Sequence, residues 1–75
     1  PNPFMNELRI TLPQAMQGKE LKLELYNAGG QMVQSKRTAI ASQTETLNTS
    51  GIERGFYVIR ITSGTEKVQC KVIKN

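Results

Sequence analysis

An all-β fold is what this sequence predicts: a small immunoglobulin-like antiparallel β-sandwich of six to seven strands. Three observations carry the prediction. Apolar residues alternate with polar ones at period two in segment after segment, and no segment shows helical period. Turn-forming Gly, Pro and Asn fall between those segments at fairly regular spacing. The third is the run Phe56-Tyr57-Val58-Ile59-Arg60-Ile61-Thr62, nearly all β-branched or aromatic, which is the strongest strand signal in the chain. Alternation puts Tyr57, Ile59 and Ile61 on one face of it and Phe56, Val58, Arg60 and Thr62 on the other. With both faces starting apolar, this strand is expected at the centre of a sheet.

The elements follow in order. Pro1-Asn2-Pro3 reads as a stiff lead-in, since each proline fixes its own φ, and Phe4 is a candidate to pin it to the sandwich. Phe4-Met5 would be the seventh strand if it pairs. Residues 7–12 form the first clear strand, with Leu8, Ile10 and Leu12 inward, and Pro13 ends it. Residues 14–18 are a loop or a single helical turn. Residues 19–27 give the cleanest amphipathic strand, with Leu21, Leu23 and Leu25 inward. Asn27-Ala28-Gly29-Gly30 is the turn after it, because Gly accepts positive φ without steric cost. The return strand, 31–36, has only Met32 and Val33 as apolar candidates, and Ile40 in the next connection is expected to plug one end of the core. Residues 43–49 form a polar strand expected at a sheet edge, with Leu47 as its core residue and Glu45 outward to discourage pairing with another molecule.

Gly51 and Gly55 bracket a sharp corner before the central strand, and Tyr57 sits just beyond it. In sandwich folds a Tyr so placed can bury its ring and tie its hydroxyl back to upstream backbone. A ring that is merely half buried is the alternative. Ser63-Gly64 reads as a two-residue hairpin turn. The last strand, 66–73, alternates Val68, Cys70 and Val72 inward with Lys67, Gln69 and Lys71 outward, which leaves Ile73 an outward apolar residue among lysines.

The totals exclude several functions. Seventy-five residues make one domain, 1–75, with a modest core. The formal charge is +4, but the basic residues are scattered, and a solvated sheet face explains them better than a nucleic-acid groove with stacking aromatics. The chain has no His, Asp or Trp, so no Ser-His-Asp or Cys-His apparatus can be built and no catalytic residue is assigned. A zinc site would have only Cys70 and glutamates, so neither metal nor cofactor is expected. Cys70 stands alone and reads as a small buried core residue. No apolar run is long enough to span a membrane, and no secretory leader is recognisable at the start. With no initiator Met either, the sequence is expected to be a fragment of a larger secreted protein.

Four local patterns occur in order: Pro1-Asn2-Pro3 at the opening, Leu25-Tyr26-Asn27-Ala28-Gly29-Gly30-Gln31-Met32-Val33, then Ile52-Glu53-Arg54-Gly55-Phe56-Tyr57-Val58-Ile59-Arg60-Ile61, and Lys71-Val72-Ile73-Lys74 near the end. Together they resemble the C-terminal sorting domain (type A) of type IX, or Por, secretion cargo from Bacteroidetes, and the resemblance covers essentially the whole chain. Asn27, Gln31 and Phe56 stand where that family favours Asp, Arg and Ile or Val. Asn can serve the same turn role as Asp, so the hairpin is expected to survive.

The resemblance implies a secretion signal that performs no reaction. Such a domain delivers an N-terminal cargo of the same chain to the outer-membrane translocon, and a sortase-like cysteine protease commonly removes it at the cell surface. The expected site is the last strand, where Lys71, Val72, Ile73 and Lys74 would present charge and apolar surface to the type IX machinery; the alternative is that they merely finish the sheet. Pro1, Asn2, Pro3, Gly30, Gly55 and Tyr57 are assigned to folding. Two other readings fit a small sandwich: an adhesive or carbohydrate-binding module of a secreted enzyme, and a passive spacer.

Overall fold

The computed structural model describes residues 6–75, so the expectations for Pro1, Asn2, Pro3, Phe4 and Met5 lie outside the described residues. Among the described residues six strands alternate with short connections: β1 (Glu7–Thr11), β2 (Leu21–Asn27), β3 (Met32–Thr38), β4 (Thr44–Asn48), β5 (Gly55–Ser63) and β6 (Glu66–Lys74). One turn of 3-10 helix, Gln14–Met16, lies between β1 and β2. The strands form two antiparallel sheets, a four-stranded one in the order β3-β2-β5-β6 and a two-stranded one of β1 and β4. The chain changes sheet three times, between β1 and β2, β3 and β4, and β4 and β5, while β2–β3 and β5–β6 are hairpins.

One apolar cluster joins the two layers. The leucines of β2, Leu21, Leu23 and Leu25, are essentially inaccessible to solvent, as is Leu8 of β1. The register places Leu23 opposite Ile61 and Leu25 opposite Ile59, so the central strand and its neighbour present a continuous aliphatic surface. Leu8 opposite Leu47 in the small sheet covers it, helped by Ile10, Leu12 and Met16. Met16 is fixed there by the 3-10 turn, whose first bond runs from the Met16 amide to the Pro13 carbonyl (3.0 Å). The predicted alternation of β5 holds throughout: Tyr57, Ile59 and Ile61 are buried, and Phe56 is exposed.

Several expectations are corrected. Ile40 does not plug the core; it is exposed, and Ala41 is buried in its place, held by its amide to the Lys19 carbonyl and its carbonyl to the Gly18 amide. Neither Met32 nor Val33 reaches the core, so β3 contributes no apolar side chain to it. The β5–β6 turn is Gly64-Thr65 rather than Ser63-Gly64: Ser63 pairs with Glu66, and Gly64 leads with φ of 61°. A Gly in that place suits a type II′ turn, whose twist matches the flanking strands. Val68 and Cys70 have the inward phase of β6 but are exposed, because the two-stranded sheet covers β2 and β5 and stops short of the first half of β6. Val72, opposite Tyr57, is where that cover reaches β6, and it is fully buried.

Glu45 is the largest departure. It points inward, opposite Ile10, and is 6 % exposed. Its carboxylate accepts the Ser42 amide (2.8 Å) and the Thr38 hydroxyl (3.5 Å), and lies 3.3 Å from the Lys36 ammonium. A carboxylate can sit this deep because each oxygen has a donor. Lys36 also donates to the Thr46 carbonyl (2.9 Å), and Gln34 donates to the Asn48 carbonyl (3.0 Å). The inner face of β3, lacking apolar residues, is thus fastened to the edge of β4 by polar side chains.

Leu23→Ala should lower the unfolding free energy by about 2–5 kcal/mol, since a fully buried leucine leaves a cavity. Ile40→Ala should change it by less than about 0.5 kcal/mol, as for other exposed positions. Urea unfolding followed by circular dichroism checks both.

Candidate recognition surface and the corner that supports it

The corner between β4 and β5 sets the position of the second half of the sandwich. Thr49 is fully buried, its amide donates to the Asn6 carbonyl (3.0 Å), and its carbonyl accepts the Ile52 amide (3.1 Å). The Asn48 side chain takes the Ser50 amide at 3.0 Å. The chain then swings into β5 through Gly55, whose φ of 148° is poorly tolerated by any residue with a Cβ. Tyr57 closes the corner: its ring is buried and its hydroxyl donates to the Glu53 carbonyl, the upstream tie expected from its place in the sequence. Burial, and after it the charge of Glu53, raises the Tyr57 hydroxyl pKa above its ordinary value. The neutral phenol is therefore the folded form, and its contribution, complete below the unfolded pKa, is lost as pH rises through the folded one.

The β2–β3 hairpin is built on Asn27. Its side-chain oxygen accepts the amides of Gly29 (3.0 Å) and Gln31 (2.9 Å), and its side-chain amide donates to the Gln31 side chain (3.2 Å). Gly30 completes the turn at φ of 86°, with its amide on the Asn27 carbonyl. The expectation that Asn keeps this hairpin therefore holds. Two of the three departures noted in the sequence are partners here: Asn27 and Gln31 form a neutral link. At both Gly30 and Gly55 an added methyl would meet no atom within 4 Å, so backbone conformation rather than space makes these glycines necessary.

The four residues singled out at the end of the chain do not form one surface. Lys71 and Ile73 point outward from the sheet, Lys71 exposed and Ile73 38 % exposed. Val72 lies in the core, and Lys74 is buried with its ammonium donating to the Thr49 carbonyl. Lys74 thus joins the last strand to the corner, and of the four only the alternate pair, Lys71 and Ile73, faces outward. Strand register brings other residues to that pair: Val58 lies opposite Lys71, and Phe56 opposite Ile73. With Asn27, Ala28 and Tyr57, the residues Phe56, Val58 and Lys71 line an open groove of about 460 Å³. Phe56, 66 % exposed, is the surface residue that motif reasoning misses, although its shared phase with Arg60 and Thr62 already places it outward. Among the described residues no group of three or more His, Cys, Asp or Glu is placed to hold a metal ion, and no helix is long and apolar enough to cross a membrane.

The molecule is thus a two-layer antiparallel sandwich whose polar ties close turns and join sheets, with Phe56, Val58 and Ile73 grouped at one end of the outer face of the large sheet. The chain belongs to the secretion system C-terminal sorting domain family, whose model matches residues 1–75. That is the sorting domain of type IX secretion, a family of export signals rather than of catalysts. No curated protein and no solved structure matches the chain.

The Ser42 amide, followed by the Lys36 ammonium and the Thr38 hydroxyl, holds the Glu45 pKa below the ordinary carboxylate value against the opposing effect of burial. A depressed folded pKa means stability that is present above the unfolded pKa and lost as pH falls through the folded one. Glu45→Gln should therefore cost about 1–3 kcal/mol at neutral pH, as for a buried hydrogen bond to a charged group, and should flatten the acid limb. Urea midpoints between pH 7 and about pH 3 measure both effects.

Proposed function

We propose that residues 1–75 are a single address domain that directs an N-terminal cargo of the same polypeptide through the type IX outer-membrane translocon to the cell surface or beyond. The observation that carries this reading is the match of the sorting-domain family over the whole chain. The structure supports it in a second way. Each polar side chain drawn into the fold serves to hold that fold: Glu45 and Lys36 join the sheets, Tyr57 and Lys74 fix the corner, and Asn27 closes a hairpin. What remains for a partner is shape and surface, which is what a signal needs. A sortase-like cysteine protease removes the domain at the surface, cutting upstream of Pro1. Of the four terminal residues, Lys71 and Ile73 make contact with the machinery, while Val72 and Lys74 act by keeping the last strand in place.

A periplasmic reporter fused ahead of residues 1–75 in a type IX-competent cell should appear at the surface, and should stay in the periplasm when the translocon is deleted. Ile73→Ser in the same fusion should reduce surface reporter with little change in the melting temperature of the domain. Retention of the unaltered fusion in the periplasm would refute the sorting reading.

A further inference from the structure

Register sorts the outward side chains of the four-stranded sheet into rows. At one end Arg37, Lys22 and Lys67 stand in a single row across β3, β2 and β6, with Thr62 of β5 between the last two. In the next row Glu24 lies opposite Arg60. At the far end are Val58, Phe56 and Ile73, beside the groove. This face therefore runs from cationic to apolar along the strands.

The charge on it is concentrated. Lys22, Arg37, Arg60, Lys67 and Lys71 face outward from the strands of this sheet, against Glu24 on β2 and Glu20 just before it, which lines a hollow with Lys22, Arg37 and Thr62. Folding does not favour this arrangement, because Lys22 and Arg37 lie directly opposite each other and like charges so placed repel. Among the described residues Glu24 forms an ion pair with Lys22 alone, at 3.7 Å. Arg60 lies over the Tyr26 ring, its guanidinium carbon 5.1 Å from the centroid.

We propose that this face docks an acidic protein surface, whose carboxylates lie along the Arg37, Lys22 and Lys67 row and which places an apolar side chain in the groove between Phe56 and Val58. A buried apolar anchor with charged groups at its rim is the usual form of a protein–protein contact. A polyanion would need cations along its whole track and aromatics to stack on, and here the cations fill one end while Tyr26 is already covered by Arg60. The proposal deepens the sorting reading, on which it rests, by giving the chemistry of the receptor.

The test compares two variants with the same change in charge: Arg37→Glu/Lys22→Glu/Lys67→Glu on the face, and Arg9→Glu/Lys19→Glu/Arg54→Glu away from it. Purified chains are titrated with a synthetic peptide of alternating Glu and Leu, with poly-glutamate, with heparin and with phosphatidylglycerol vesicles, and binding is mapped by amide chemical shifts. The Glu-Leu peptide should bind tighter than poly-glutamate and perturb Val58, Phe56 and the Lys22 row. The face variant should bind it about tenfold more weakly and the other variant within about twofold, as expected when charge complementarity is local. If the face variant has lost its fold, Arg37→Gln/Lys22→Gln/Lys67→Gln replaces it. No binding of the peptide, equal loss in both variants, or equal or tighter binding of heparin or vesicles at these residues would overturn the proposal. Reporter export separates the two readings. Export by both variants leaves sorting standing and removes the docking face. Failure of the unaltered fusion removes sorting, and the titrations then decide the face alone.

Discussion

Two strands cannot cover four, and most of the architecture follows from that inequality. β1 and β4 supply the lid for β2 and β5, and the aliphatic contact between them is where the chain buries most of its apolar surface. Each fully buried leucine in that layer contributes roughly 1.5–3 kcal/mol of transfer free energy, so a handful of residues decides whether a domain of this size folds. The lid's limits show at both sides of the large sheet. On β6, Val68 and Cys70 have inward phase but no cover; on β3, the inward positions are the polar residues Gln34, Lys36 and Thr38.

Where apolar cover ends, polar side chains take over. β4 lies at the edge of its sheet, and an edge strand presents carbonyls that another chain could pair with. The Thr46 and Asn48 carbonyls are occupied instead by Lys36 and Gln34 from the facing sheet. On the other flank Lys74 reaches the Thr49 carbonyl, and Ser63 donates to the Glu20 carbonyl (3.0 Å). These ties satisfy backbone that the lid leaves at its rim, and those of Lys36, Gln34 and Lys74 align the two sheets without requiring a wider core. They also draw two lysines into the fold, so the remaining cations on the outer sheet face form a more isolated group.

Alternation alone makes the core legible in the sequence: Leu8, Leu21, Leu23, Leu25, Leu47, Ile59, Ile61 and Val72 all lie where period two puts them. Tyr57 is legible for a different reason: its place just past a corner bracketed by Gly51 and Gly55 suggests an upstream tie, and the structure decides for that over a half-buried ring. The failures share a cause. Phase says which side of a strand a residue occupies but not whether anything stands opposite, so alternation puts Cys70 inside although its side of β6 is bare. Glu45 has the same inward phase as Leu47, and charge alone argues it outward; Ser42 is a donor three residues upstream, but Thr38 and Lys36 become neighbours only when β3 packs against β4. The candidate site divides in the same way. Four consecutive residues of a strand cannot share a face, which is why Lys71 and Ile73 point outward while Val72 and Lys74 turn in.

The unequal sheets also explain how a small signal keeps a readable surface. A lid on one side only leaves the opposite face of the large sheet open to solvent, so its outward residues are not constrained by core packing. The measurement that bears most directly on this arrangement is the reactivity of the Cys70 thiol in the folded chain. It should be modified by a small thiol reagent within about tenfold of its rate in urea, as an uncovered side chain must be. Protection of about a thousandfold, released only on global unfolding, would mean that the lid extends over β6 and that the account of the fold is wrong.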